Sequence, residues 1–213
     1  MKVKVCGLTN KEDAIWAINY GADYLGLNFF KESPRQVSLA TAAKWVPELP
    51  SFASTIGVFV NAAKEDIVKT CDKINLKGIQ LHGNEDPDFL KGLRVAFEGQ
   101  GRQVFIIKAF HMLDEASLDA LPAFVDVADY FLLDSKVEGL EGGTGVRFNW
   151  DLAVKAKELG KPIILAGGLT PENVKEAVKK VAPFAVDVAS GVERSPKRKD
   201  AQKLQAFITI AKK

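Results

Sequence analysis

The stretch PIILAGGLTPENVKEAVKKVAPFAVDVASG, residues 162–191, sets the reading of the whole chain. An apolar, β-branched run ends in paired glycines, gives way to an amphipathic segment, and returns to a second apolar run that ends in Ser-Gly. A strand, a helix and a strand of that character form a unit of parallel sheet, because parallel strands need a long crossover and are buried on both faces. Thr170 is read as the cap of PENVKEAVKKV, with Pro171 at its first helical position.

The alternation extends in both directions. Strand candidates are KVKVCGL from residue 2, DYLGLNF from 23, STIGVFV from 54, GIQLHG from 78, QVFIIKAF from 103, DYFLLDS from 129, PIILAGG from 162 and AVDVASG from 185. A helix candidate follows each of them. Thr9 and Asn10 precede KEDAIWAINY, Asn61 precedes AAKEDIVKTCDKI, and Gly21, Gly78 and Gly160 are read as the caps that end helices. Eight such units predict a single α/β domain over residues 1–213, a closed (β/α)8 barrel of the TIM type. An open doubly wound sheet is the alternative, but it seldom uses eight units so regular.

Composition narrows the function. The chain of 213 residues is 47% hydrophobic and 26% charged, enough for one sizeable core. Its formal net charge is only +2, and apart from Lys197, Arg198 and Lys199 the basic residues are dispersed, so no nucleic-acid surface is expected. Cys6 and Cys71 lie far apart with no CxxC spacing, which argues against a disulfide framework and a zinc site and fits a reducing cytoplasm. The start MKVKVCGLT is too charged for a signal peptide, and no apolar run approaches the ~20 residues a membrane helix needs, so a soluble, cytoplasmic protein without a membrane partner is expected.

In a barrel of this kind chemistry sits at the carboxyl ends of the strands. Cys6 ends the first candidate strand, Asn28 the second, His82 the fourth, Lys108 the fifth and Asp134 the sixth, and Asp187 lies within the eighth. A buried free cysteine is most often an inert small hydrophobe, but Cys6 precedes Gly7 at a strand-to-loop transition, where a thiolate meets ligand. Lys4 shares its parity and is expected to lower the thiol pKa, whereas Cys71 falls in a helix pattern and reads as structural. Asp134 ends the run YFLL, where burial is expected to raise its pKa for general-acid work; the bland reading is a capping or loop-anchoring aspartate. Asp187, flanked by valines, either binds a sugar hydroxyl or fixes a basic neighbour.

Gly167 and Gly168 after the seventh strand, with Ser190 and Gly191 after the eighth, form a candidate phosphate site, since glycines let backbone N–H groups approach an anion closely. Arg35, in a loop opened by Pro34, is a candidate for bidentate carboxylate binding. His82 shares a face with Gln80 and reads equally as an upper-layer hydrogen-bonding residue or a catalyst, with no metal-ligand spacing around it. The glycine-rich segment from Ser135 to Arg147 is a candidate lid.

Taken in order, KVCGLT (4–9), SPRQVS (33–38), GIQLHG (78–83), LLDS with GGTG through residue 145, FNW (148–150), LAGGLTPENV (165–174) and VDVASGVERSP (186–196) closely resemble the phosphoribosylanthranilate isomerase family of tryptophan biosynthesis, over essentially the whole chain. The resemblance implies a barrel of the ribulose-phosphate-binding type and an intramolecular aldose–ketose oxidoreduction. In this Amadori rearrangement N-(5-phosphoribosyl)anthranilate becomes 1-(2-carboxyphenylamino)-1-deoxyribulose 5-phosphate, without metal or organic cofactor. It implies Cys6 as the general base at C2 of the sugar, Asp134 as the general acid at the ring oxygen, and Arg35 as the partner of the anthranilate carboxylate. It implies the loop glycines as the phosphate cradle, and His82, Asp187, Gly143, Gly167, Gly168, Ser190 and Gly191 together make up the expected substrate-binding set. A monomer or a homodimer is compatible with it. One departure is Lys197, where the family usually has glycine after Ser-Pro. The rival expectations are an imine-forming lyase or aldolase built on Lys108, and a barrel that binds a phosphosugar without turning it over.

Overall fold

A computed structural model describes residues 1–134 and 150–213. Eight parallel strands close in chain order: β1 (Lys2–Val5), β2 (Tyr24–Asn28), β3 (Ser54–Phe59), β4 (Gly78–Leu81), β5 (Phe105–His111), β6 (Tyr130–Asp134), β7 (Ile163–Leu165) and β8 (Ala185–Val188), with β8 paired back to β1. Every strand candidate overlaps one of them, and all but the fifth contain it whole; β5 runs one residue past its candidate, to His111. Around the barrel lie α1 (Lys11–Tyr20), α2 (Leu39–Ala42), α3 (Lys64–Ile74), α4 (Pro87–Gly99), α5 (Trp150–Ala156), α6 (Val174–Val181) and α7 (Ala201–Lys212). No helix among the described residues is long and apolar enough to cross a membrane.

Two connections depart from the regular unit. After β2 the helix is a single turn, capped by Ser38 and followed by a tighter 3₁₀ turn at Val46–Glu48 that carries a proline. After β5 the crossover is a 3₁₀ helix, Glu115–Phe124, with Pro122 inside it. Pro122 lacks the amide that a helix interior requires, whereas the proline of Val46–Glu48 stands in the first turn of its segment, where it is tolerated.

Asn10 caps α1 as expected, accepting the Asp13 amide at 2.9 Å, and Gly21 and Gly160 end helical segments with left-handed backbone. Three boundaries need correction. Asn61 does not cap α3, because its side chain accepts the Asn84 amide at 2.7 Å and ties two loops together; α3 starts at Lys64 instead. Thr170 caps the turn that leads into α6 and not α6 itself, its Oγ1 accepting the Glu172 amide at 3.3 Å. Its amide donates to Asn173 Oδ1 at 2.8 Å, Asn173 Nδ2 donates to Gly168 O at 2.9 Å, and the helix starts only at Val174, with Asn173 closing the loop after β7. Gly78 ends no helix: α3 stops at Asn75 with φ 52°, and Gly78 opens β4, where a Cβ would stand 2.2 Å from the Phe105 ring.

Alternation along the strands separates two cores. Outward residues and the inner faces of the helices form the larger one. Inside the barrel, Tyr24, Phe105 and Tyr130 make an aromatic floor of edge-on contacts at 5.9 and 5.6 Å, and Ile56, Ile107, Leu132 and Ile164 fill the layer above. The layer towards the strand carboxyl ends is polar, so the interior grades from apolar floor to reactive mouth. A hairpin of β9 (Glu193–Ser195) and β10 (Arg198–Lys199) follows β8 and packs against the start of α1, with Thr9 Oγ1 donating to Lys197 O at 2.9 Å and the Lys199 amide to Asp13 at 2.9 Å.

Candidate active site

The strand register puts Lys4 beside Asp187 on β1 and β8, and the buried Lys4 ammonium donates to Asp187 Oδ1 at 2.9 Å. Of the two sequence readings of Asp187, the geometry therefore carries the one in which it fixes a basic neighbour. Burial works against the Lys4 charge, but the Asp187 carboxylate and the Cys6 thiol outweigh it, and the lysine pKa is raised. Cys6 follows two residues on and shares that interior face: a methyl group on Gly26 would meet Cys6 Sγ at 2.8 Å and Lys4 Nζ at 3.2 Å. The thiol sits at the inner wall of the mouth, not among the helices.

The expected lowering of the Cys6 pKa does not hold as a net effect. Burial pushes the thiol up, Lys4 pulls it down, Asp187 pushes it up again, and the sum is a raised value. Lys4 acts in the expected direction without prevailing. Cys71 is buried in α3, with a thiol pushed up to about 12 by burial, consistent with a structural part.

Across the mouth, Asp134 ends β6 with its side chain mostly covered and Oδ2 at 3.6 Å from His82 Nε2. His82 Nδ1 meets Gln80 Nε2 at 2.9 Å. Burial, and then His111, lower the histidine pKa to about 4, so the ring is neutral at pH 7. Both sequence readings of His82 are thus compatible with its place. His111, at the end of β5, was not singled out from the sequence; its ring centroid lies 5.2 Å from that of His82.

Lys108 requires correction. β5 continues three residues beyond it to His111, and alternation with inward Ile107 and Ala109 turns Lys108 outward. There it is buried, donating to Glu85 Oε2 at 2.8 Å and Gly83 O at 2.6 Å, with the Phe110 and Phe124 rings at 6.0 and 5.8 Å. Glu85 also accepts the Asn61 and Gly83 amides. The amine that an imine mechanism needs is a strut between loops and does not face the mouth.

Arg35 does form a two-pronged carboxylate contact, but with its own chain. Nε and Nη2 donate to the two oxygens of buried Glu193, each at 2.8 Å, and this contact raises the arginine pKa. Asn28 builds the loop that presents it: Asn28 Nδ2 donates to Ser33 Oγ at 3.1 Å, and Ser33 Oγ in turn accepts the Arg35 amide at 3.1 Å. Gly7 lets the arginine lie flat on the mouth, since it adopts φ 72° and a Cβ there would stand 2.5 Å from Arg35 Cδ. Glu193 also accepts Lys199 Nζ at 3.2 Å, and Lys199 is held on Ala189 O at 2.9 Å. Sequence reasoning missed Glu193 because its partner is 158 positions away and no local pattern marks it.

The glycine ends meet as expected. Gly167 and Gly168 take φ 87° and 61°, and a Cβ on Gly191 would lie 2.0 Å from Leu169 O, so the loops after β7 and β8 are in direct backbone contact. Ser190 opens the short 3₁₀ turn Ser190–Val192 beside them. Gly143, the rest of the candidate lid, and residues 148 and 149 of the FNW motif lie outside the described residues.

A closed parallel barrel whose carboxyl-end mouth gathers a thiol, carboxylates and a backbone-glycine cradle is the architecture of a metabolic barrel enzyme. The family described as N-(5'phosphoribosyl)anthranilate (PRA) isomerase matches residues 3–210. The N-(5'-phosphoribosyl)anthranilate isomerase of Geobacter sp. (strain M21) is 47% identical over 212 residues, spanning 100% of this chain and 98% of the relative. The crystal structure of phosphoribosyl anthranilate isomerase from Thermotoga maritima superposes with TM-score 0.90 at 36% identity, covering 100% of this chain and 98% of that one. A solved phosphoribosyl anthranilate isomerase in complex with reduced 1-(o-carboxyphenylamino)-1-deoxyribulose 5-phosphate gives TM-score 0.87 at 34% identity, with 100% and 98% covered. The chain belongs to the phosphoribosylanthranilate isomerase family.

Proposed function

We propose that this barrel carries out the Amadori rearrangement of N-(5-phosphoribosyl)anthranilate to 1-(2-carboxyphenylamino)-1-deoxyribulose 5-phosphate, with Cys6 as general base and Asp134 as general acid. Asp134 gives its proton to the ring oxygen as the C1–O bond breaks, and the substrate's own amine supplies the electron pair for the C=N bond. The resulting iminium acidifies C2, and the Cys6 thiolate takes that proton. The enolamine then tautomerises to the ketone. Cys6 leaves the cycle as thiol and Asp134 as carboxylate, so proton exchange resets both.

The observation that carries this reading is the shared mouth: Cys6 over the Lys4–Asp187 pair on one side, Asp134 beside His82 on the other. Lys4 favours the thiolate, and Asp187 holds Lys4 in place. Backbone amides around Gly167, Gly168, Ser190 and Gly191 receive the phosphate, and the edge of Arg35 not bound to Glu193 meets the anthranilate carboxylate. The named residues come from one chain, so the site is compatible with a monomer or a homodimer. A reducing compartment such as the cytoplasm keeps Cys6 a free thiol.

The test is loss of phosphoribosylanthranilate fluorescence on addition of the purified protein. Cys6→Ser and Asp134→Asn are each expected to lose ~10² to 10⁴ in turnover while keeping a folded circular dichroism spectrum. Near-normal turnover in either variant contradicts that residue's role. Binding of the phosphosugar without any fluorescence loss would favour the non-catalytic alternative.

A further inference from the structure

Three successive strands bring His82, His111 and Asp134 together at one side of the mouth. The β5–β6 register sets His111 directly beside Asp134, and His82 follows the last residue of β4. One ligand atom from each lies within 4.8 Å of the other two, and His82 Nε2 is already 3.6 Å from Asp134 Oδ2. A tetrahedral zinc-type ion with bonds of ~2.0 Å needs its ligands roughly 3.3 Å apart. The remaining closure falls to the exposed His111 side chain, which can swing at little cost.

A second observation points the same way. Gln80 Oε1 is buried without a hydrogen-bond partner while Nε2 faces His82 Nδ1. Turning the amide over places Oε1 on Nδ1, which then carries the ring proton. His82 Nε2 then carries the lone pair that a metal ion needs, and a histidine oriented by a hydrogen bond at its other nitrogen matches the outer-sphere support of metal-bound histidines.

We propose that His82, His111 and Asp134 form a site for one divalent transition-metal ion of the zinc class, and that the ion competes with catalysis at the mouth. Two imidazoles and a carboxylate suit such an ion and leave a fourth position for water. The inhibitory half of the proposal rests on the reading of Asp134 as the acid, because a carboxylate engaged by the metal has no proton to give. The binding half does not.

The experiment uses chelator-stripped protein titrated with Co²⁺ and followed by visible absorption, with Zn²⁺ as displacing ion. Wild type is expected to take up one equivalent with a four-coordinate spectrum, and His111→Gln to bind at least tenfold more weakly while keeping its metal-free turnover. No stoichiometric uptake by wild type overturns the site, as does equal affinity in His111→Gln. A thiolate-to-cobalt charge-transfer band puts the ion on Cys6 and also overturns it. One equivalent of Zn²⁺ is expected to suppress turnover in wild type and to spare His111→Gln. Stoichiometric binding with full turnover would uphold the metal site and overturn the assignment of Asp134 as acid.

Discussion

Cys6 is asked to be a base in a place where burial opposes its ionisation, and Lys4 is the group that offsets this. The reactive form is the thiolate and its pKa is raised, so in an Asp134→Asn background, where the acid no longer titrates, the residual kcat/KM is expected to keep climbing with pH through neutrality instead of levelling off there. In a Cys71→Ser background, the pH midpoint of Cys6 alkylation should lie above that of an ordinary thiol. Lys4→Met should move it further up, since the one strong downward influence is gone; an unchanged or lower midpoint would remove Lys4 from the mechanism. Lys197 shows a different residue-scale effect. It follows Pro196 in the β9–β10 turn and adopts φ 69°, a conformation that glycine takes freely and a lysine does not. The left-handed backbone costs ~1–2 kcal/mol in a residue with a Cβ, and glycine gives back part of that through its larger unfolded-state freedom. Lys197→Gly is expected to stabilise the fold by roughly 0.5–1 kcal/mol in denaturant unfolding, with turnover unchanged.

At the scale of elements, β5 carries unlike tasks on neighbouring residues: Ile107 and Ala109 fill the barrel, His111 reaches the mouth, and Lys108 braces the outside. Lys108→Met leaves Glu85 buried without its cation and is expected to cost about 3–5 kcal/mol of stability, read from a denaturant midpoint. Borohydride treatment of wild type with substrate should add no mass, because Lys108 does not face the ligand. The strands were legible because β-branched apolar runs between turn residues have few other uses. Cys6, His82 and Asp134 were legible because a strand's parity and its end together place a side chain at the mouth. Lys108 was misread because the end of β5 was placed too early, and parity with His111 would have shown it. The starts of α3 and α6 were misread because Asn61 spends its side-chain acceptor on the Asn84 amide of another loop, and Thr170 caps the turn before α6 and not the helix itself. His111 carries the same signal of parity and strand end once β5 is extended to it, whereas Glu193 carries no local signal, because its partner Arg35 is 158 positions away and only the closed barrel brings the two together.

For the molecule as a whole, the proposed phosphate cradle lies where the loops after β7 and β8 touch, so an anion bound there should strengthen the fold. Inorganic phosphate at about 100 times its Kd is expected to add ~2.7 kcal/mol of stability, seen as a rise in Tm. Gly191→Ala should abolish that gain, because its methyl group would collide with Leu169 O at 2.0 Å. The same part of the molecule is a seam. Lys4 meets Asp187, Arg35 meets Glu193, Thr9 meets Lys197 O, and Asp13 meets the Lys199 amide, each pairing an early residue with one made more than 150 positions later. A nascent chain therefore carries its thiol, both histidines and Asp134 well before it has anything to hold them in register. Competence arrives as a single late event of assembly, when the last strand and its hairpin leave the ribosome, and a fragment halted upstream of them would be an inert intermediate, not a slow enzyme.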